Sequence, residues 1–243
     1  MATQLALVFL YGLITALTTG LGAIPFAFLH APSPRTLALA NAVASGLMLG
    51  ASFGLISEGA HYGTPQTLAG GAVGVIFILL GEKVLAGREV EFGELRGAGA
   101  KRILLILAVM TLHSFSEGVA VGVAFGGGEK LALLITLAIA VHNIPEGLAI
   151  SAVMRPQGSS VLQCAGWSVF SSLPQPLMAV PAFLFVDAFR PLLPYGLGFA
   201  AGAMVLMVFL ELLPEAFEKE KPSFVALWSG LALAAMVIFQ KFL

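Results

Sequence analysis

The sequence predicts an all-α integral membrane protein with eight transmembrane helices, and three observations lead there. Hydrophobic residues fill 58% of the 243 positions and charged residues only 10%, far below the roughly 25% charged residues of soluble domains. The apolar residues gather in long runs, and the breaks between runs are short and marked by Pro, Gly or charge. Each run approaches the ~20 apolar residues with which a helix crosses a hydrocarbon layer about 30 Å thick.

The spans are expected at 5–29, 37–58, 68–86, 103–125, 131–154, 161–186, 195–213 and 224–243, forming a single polytopic domain over 1–243. No Lys or Arg precedes Arg35. The first run is also longer than the ~7 to 15-residue core of a cleaved signal, so it reads as a span. Ala31-Pro-Ser-Pro-Arg35 divides it from the second, where Ala42, Gly46, Gly50 and Gly54 recur every four residues and Glu58 follows at the same interval. Such small-residue ridges let helix backbones approach closely in lipid, and Gly118 with Gly122 and Gly198 with Gly202 repeat the spacing. Gly63-Thr-Pro65 ends the second span, and a polar loop at 87–102 follows the third. Gly126-Gly-Gly-Glu-Lys130 and Arg155-Pro-Gln-Gly158 flank the fifth. Pro174, Pro176, Pro181 and Pro194 interrupt spans six and seven, Arg190-Pro191 lies between them, and Glu218-Lys-Glu-Lys-Pro222 precedes the eighth.

Charge placement orients this chain. With both termini outside, Arg35, Lys83, Arg88, Arg96, Lys101, Arg102, Arg155, Lys219 and Lys221 face the cytoplasm, against Lys130, Arg190 and Lys241 outside. That excess is the one the positive-inside rule asks for. A net charge of -1 gives no basic surface for nucleic acid. Cys164 is the single cysteine, which excludes an intrachain disulfide framework.

Two of the four histidines lie deep in apolar runs, each with a glutamate four residues on: His113-Ser-Phe-Ser-Glu117-Gly and His142-Asn-Ile-Pro-Glu146-Gly. Positions i and i+4 share a helix face, so each segment offers an imidazole and a carboxylate in one direction. At ~1.5 Å per residue both histidines fall about 16 to 18 Å deep, near the midplane, on helices that run oppositely. Ionisable groups at that depth are costly and mark functional sites. His113, Glu117, His142 and Glu146 therefore predict a four-ligand metal cage on a central inverted pair, spans four and five. Imidazole with carboxylate suits Zn2+ first, then Fe2+, Mn2+, Co2+ or Cd2+. Two carboxylates neutralise a divalent ion formally, and metal loading competes with protonation. Pro145 frees the carbonyl of Val141 beside the site. Gly118 and Gly147, each directly after a glutamate, allow a neighbouring backbone to come close.

Other polar residues are weaker candidates. Glu58 and His61, beside Tyr62, suit a solvated helix end or an entrance, while Glu211 and Glu215 suit an inner mouth. His30 beside Pro32 reads as loop chemistry, and scattered methionines as gap fillers. Neither a catalytic group nor a resident cofactor is expected. The alternative class is an intramembrane metal-dependent hydrolase that uses the same cage to activate water, but four protein ligands leave it no open position. The partners expected are a divalent metal ion as substrate, the lipid bilayer and a second copy in a homodimer.

At these motifs the chain resembles the ZIP (Zrt-/Irt-like) family of divalent metal transporters over nearly its whole length, His142-Asn-Ile-Pro-Glu146-Gly being similar to its most specific signature. The resemblance implies eight spans, both termini outside, a cytoplasmic loop between spans three and four, and a cell (inner) membrane location. It implies import of metal into the cytoplasm by alternating access, with spans one, four, five and six moving as an elevator against the rest. The four cage residues correspond to the family's primary site. A second adjoining site in some members uses the positions of Ser114 and Asn143, where relatives tend to carry Asn and Asp, and of Gln175, where Glu is usual. Uncharged residues here imply that the second site is weak or absent. Leu210 replaces a family histidine before Glu211, and the 87–102 loop has no histidine to sense metal.

Overall fold

In the computed structural model of the chain, the described residues are 2–28, 33–85, 91–92, 95–126 and 128–241. His30, Pro32 and much of the polar loop lie outside them. Long helices dominate: α1 Ala2–Leu21, α2 Pro34–Leu85, α3 Ala98–Gly126, α4 Glu129–Met154, α5 Val161–Ser172, α6 Pro174–Leu184, α7 Val186–Phe189, α8 Leu193–Met207, α9 Leu213–Lys219 and α10 Pro222–Gln240. Among the described residues the only β structure is a two-residue antiparallel ladder, Glu91–Phe92 (β1) with Leu95–Arg96 (β2).

Six stretches among the described residues are long and apolar enough to cross a membrane: Ala2–Phe28, Pro34–Gly81, Gly99–Gly126, Ile135–Gln157, Val186–Lys219 and Pro222–Gln240. The lower number has local causes. The expected second and third spans belong to one 52-residue helix, interrupted at Gly63, whose φ of 164° and ψ of 105° leave the helical region. The expected sixth span is divided at Leu173 into α5 and α6, because Pro174 and Pro176 bring no N–H to the helical ladder. Pro214 likewise cannot donate to Leu210, and a π-helical turn over Val208–Leu212 precedes it. The fourth helix starts at Ala98, earlier than expected, since Ala, Lys and Arg are good helix formers. Lys101 and Arg102 are therefore helical residues, not loop residues.

The helices form two packed groups. In one, α1, α3, α4, α5 and α6 pack on each other; in the other, α2 holds α8, α9 and α10. Contacts of α2 with α4 and of α3 with α8 join the groups. The ridge on α2 faces α10: a Cβ at Gly46 would meet the Ser229 carbonyl, and one at Gly50 would meet Met236. Buried Met48, Met110, Met204 and Met207 fill the largest core cluster, as expected for flexible gap fillers. Phe92 stacks 4.9 Å from Trp167, which places β1 on α5.

Candidate metal centre

One turn separates His113 from Glu117 on α3 and His142 from Glu146 on α4, so four donors come from two packed helices. One ligand atom from each lies within 4.8 Å of all the others. All four residues are buried, Glu146 and His113 completely. Glu146 Oε1 is the hub, 2.8 Å from His113 Nε2 and 3.1 Å from His142 Nε2, while Glu117 Oε1 is 3.4 Å from His113 Nε2. The imidazole rings are 5.5 Å apart. Their hydrogen bonding is incomplete: His113 Nε2 lacks hydrogen-bond alignment with its close carboxylates, and His113 Nδ1 and Glu146 Oε2 have no partner. Buried polar atoms normally find partners. A set of converging donors with spare capacity has the chemistry to hold a cation.

Local sequence explains the convergence. A Cβ at Gly147 would run into the Thr19 carbonyl oxygen on α1, and one at Gly118 would lie 2.6 Å from the Gln175 carbonyl oxygen on α6. The absent side chains thus let α1 and α6 close on the cage from two sides. Pro145 stays within α4, next to Glu146, and leaves the Val141 carbonyl without its helical donor.

Ser114, Asn143 and Gln175 are fully buried against the cage. Gln175 Nε2 donates to Glu117 Oε2 at 2.5 Å and reaches Ser114 Oγ at 3.5 Å. Asn143 Nδ2 donates to Gln175 Oε1 at 3.0 Å and to the Thr15 carbonyl at 2.8 Å. Gln175 thus turns an N–H toward Glu117, while Asn143 directs its N–H groups to Gln175 and Thr15 and leaves its buried Oδ1 without a partner. The Thr15 carbonyl is a participant that no side-chain pattern could have revealed.

A cavity of about 440 Å³ runs from Glu58, Gln240 and Lys241 at one end of the bundle to Glu117 and His142. Its wall is mostly apolar, with Leu197 and Met236 among its residues. Glu58 thus lines the same cavity as Glu117 and His142, whereas His61 does not line it. Glu211 and Glu215 stand elsewhere, engaged by Arg102 Nε at 2.9 Å and Nη1 at 3.7 Å respectively. Lys219 Nζ also binds Glu215 Oε1, at 2.6 Å. Sequence reasoning counted Arg102 only as a loop charge and missed this contact.

Comparison with known proteins now decides the family. The family model described as "ZIP Zinc transporter" matches residues 94–238. "Zinc transporter GufA" of Myxococcus xanthus is 30% identical over 247 residues, covering 93% of this chain and 95% of that protein. The chain belongs to the ZIP zinc transporter family. An Arabidopsis thaliana protein named "Putative zinc transporter" is 45% identical over 96% of this chain, but the match spans only 39% of its length. Human "Zinc transporter ZIP11" is 39% identical over 49% of this chain and 37% of its own length. The ZIP family is one of transporters and not of enzymes, which answers the hydrolase alternative. Membership and the apolar helices together make this an integral membrane protein.

Proposed function

We propose that this protein carries divalent transition-metal ions, zinc foremost, across the cell membrane into the cytoplasm by alternating access around His113, Glu117, His142 and Glu146. The observation that carries the reading is the buried convergence of these donors within 4.8 Å. Two carboxylates offset the ion's charge in a medium where an uncompensated charge is prohibitive. The cavity reaching Glu117 and His142 from Glu58 serves as the outer vestibule. Gly63 divides α2 into two crossings, and α5 with α6 makes one crossing interrupted at Leu173, which gives eight crossings with both termini outside. The group of α1, α3, α4, α5 and α6 is the moving body, and the group around α2 is its frame; their separate packing supports that division. Fe2+, Mn2+, Co2+ and Cd2+ share the ligand chemistry and are competing substrates.

The test is flux. Purified protein in sealed liposomes takes up zinc against a protein-free control, and His142→Ala lowers the initial rate at least about tenfold, since even outer-shell changes at metal sites cost 10–100-fold. Full uptake by that variant defeats the assignment of the cage.

Acid should weaken binding. Each donor accepts either the ion or a proton, so as pH falls protons occupy the imidazoles and carboxylates and apparent zinc affinity drops. Titration calorimetry at several pH values checks this, with proton release on binding as its companion signal. Flat affinity from about pH 7.5 to 5.5 contradicts it.

The cage holds one ion. Gln175 presents an N–H to Glu117, and an N–H group at that position repels a second cation. Elemental analysis should give one zinc per chain, and Gln175→Glu should raise it toward two. Two per chain in the unaltered protein refutes this reading.

A further inference from the structure

We propose that Asn41 and Ser45 form a relay for the hydrated divalent cation between the cage and the end of the bundle opposite the Glu58 vestibule, closed in this conformation by Arg102. The inference rests on the transport reading above and adds a route that the cage residues do not define.

Asn41 and Ser45 lie one turn apart on α2 and are fully buried. Neither Asn41 Nδ2 nor Oδ1 has a hydrogen-bond partner, and Ser45 Oγ has none. A carboxamide and a hydroxyl at membrane depth with nothing to bind are unfavourable for the fold. Such groups persist where water or an ion satisfies them in some state of the protein. Their face of α2 also carries Leu37, clustered with Ala152, and Met48, in the core that holds Ile150 and Val153. Those α4 residues follow Glu146 by one to two turns. The polar pair therefore lies beyond the cage on the side away from Glu58. Asn41 Oδ1 and Ser45 Oγ are uncharged oxygens, which suit a brief stop for a partly hydrated cation rather than tight retention.

The closing element is a clamp between the two helix groups. Arg102, on α3, binds Glu211 at 2.9 Å and Glu215 at 3.7 Å, on the π turn and α9. Glu215 is 5% exposed. Ala42, next to Asn41, packs with Ala216, next to Glu215. The clamp thus stands directly behind the relay. Parting it separates α3 from α9, the displacement that would let water reach Asn41.

The labelling test reads access and requires neither metal nor flux, so it can fail while the transport reading stands, or succeed if that reading falls. Cys164 is the single cysteine. In a Cys164→Ser background, Asn41→Cys and Ser45→Cys are placed separately in the full chain, in sealed vesicles of known orientation. A membrane-impermeant maleimide is then applied from either side. The expected result is slow labelling from the Arg102 side alone, at least about tenfold faster when Arg102→Ala is added. Labelling from the Glu58 side, labelling from neither side, or a rate indifferent to Arg102→Ala overturns the proposal; labelling from neither side would leave a structural water as the sole occupant. Should a cysteine variant fail to fold, Asn41→Gln supplies a second measurement. Equilibrium zinc affinity stays within about twofold while zinc release into a cytoplasm-side dye slows at least about fivefold. Equal shifts in both, or in neither, overturn the relay.

Discussion

Replacing Glu146 with alanine should abolish zinc uptake while leaving the protein folded. One oxygen of this residue lies 2.8 Å from one imidazole and 3.1 Å from the other, so the substitution removes the hub of the cage and one of its two negative charges together. The remaining donors would hold a divalent ion with a net positive charge in a low-dielectric interior, a situation that costs several kcal/mol. Uptake is expected below about 1% of the unaltered rate, the loss that ~3 kcal/mol or more of binding energy implies. Glu146→Gln keeps the shape and removes the charge, and it should fail nearly as badly. Thermal unfolding in metal-free buffer separates loss of function from loss of structure. A Glu146→Gln protein that unfolds normally and still transports would show that the carboxylate charge is dispensable.

Gly147→Ala is the second large effect, and it acts through the backbone. The added Cβ would collide with the Thr19 carbonyl oxygen, which is backbone and cannot swing aside. Either α1 separates from α4 or α4 shifts locally, and the neighbouring Glu146 moves with it. Overpacking of this kind typically costs 1–3 kcal/mol and sometimes more. The expected outcome is a lower unfolding midpoint together with a severe loss of zinc affinity, although no donor atom has been changed. Unchanged stability and affinity would mean that the α1–α4 approach is not needed to form the cage.

The cage was legible in the sequence because two physical facts reinforce each other. Charged groups are rare in apolar runs, and i,i+4 spacing fixes their direction on a helix. His113, Glu117, His142 and Glu146 meet both conditions twice over, and the structure brings them together. Gly118 and Gly147 were readable for a similar reason, since a small residue directly after each buried glutamate implies that something packs close. The division into helices was harder. Hydropathy counts apolar runs, whereas continuity of a helix turns on single residues such as Gly63, Leu173 and Pro214. Spacing also cannot tell which way an amide points, so the bonds of Asn143 to Gln175 and to a backbone carbonyl were hidden. Arg102 was obscured by a helix start placed too late. Asn41 and Ser45 left a trace, two polar residues one turn apart in an apolar run, but a lone Asn and Ser in a helix are too common to stand out.

The thread from the Thr15 carbonyl through Asn143 and Gln175 to Glu117 has a mechanical consequence. It stitches α1, α4, α6 and α3 together with three buried bonds at the height of the cage, so sliding one of these helices past another would break bonds that have no solvent to replace them. A body laced in this way resists internal shear. In the transport cycle proposed above such a body moves as one piece, and His113, Glu117, His142 and Glu146 keep their mutual spacing throughout.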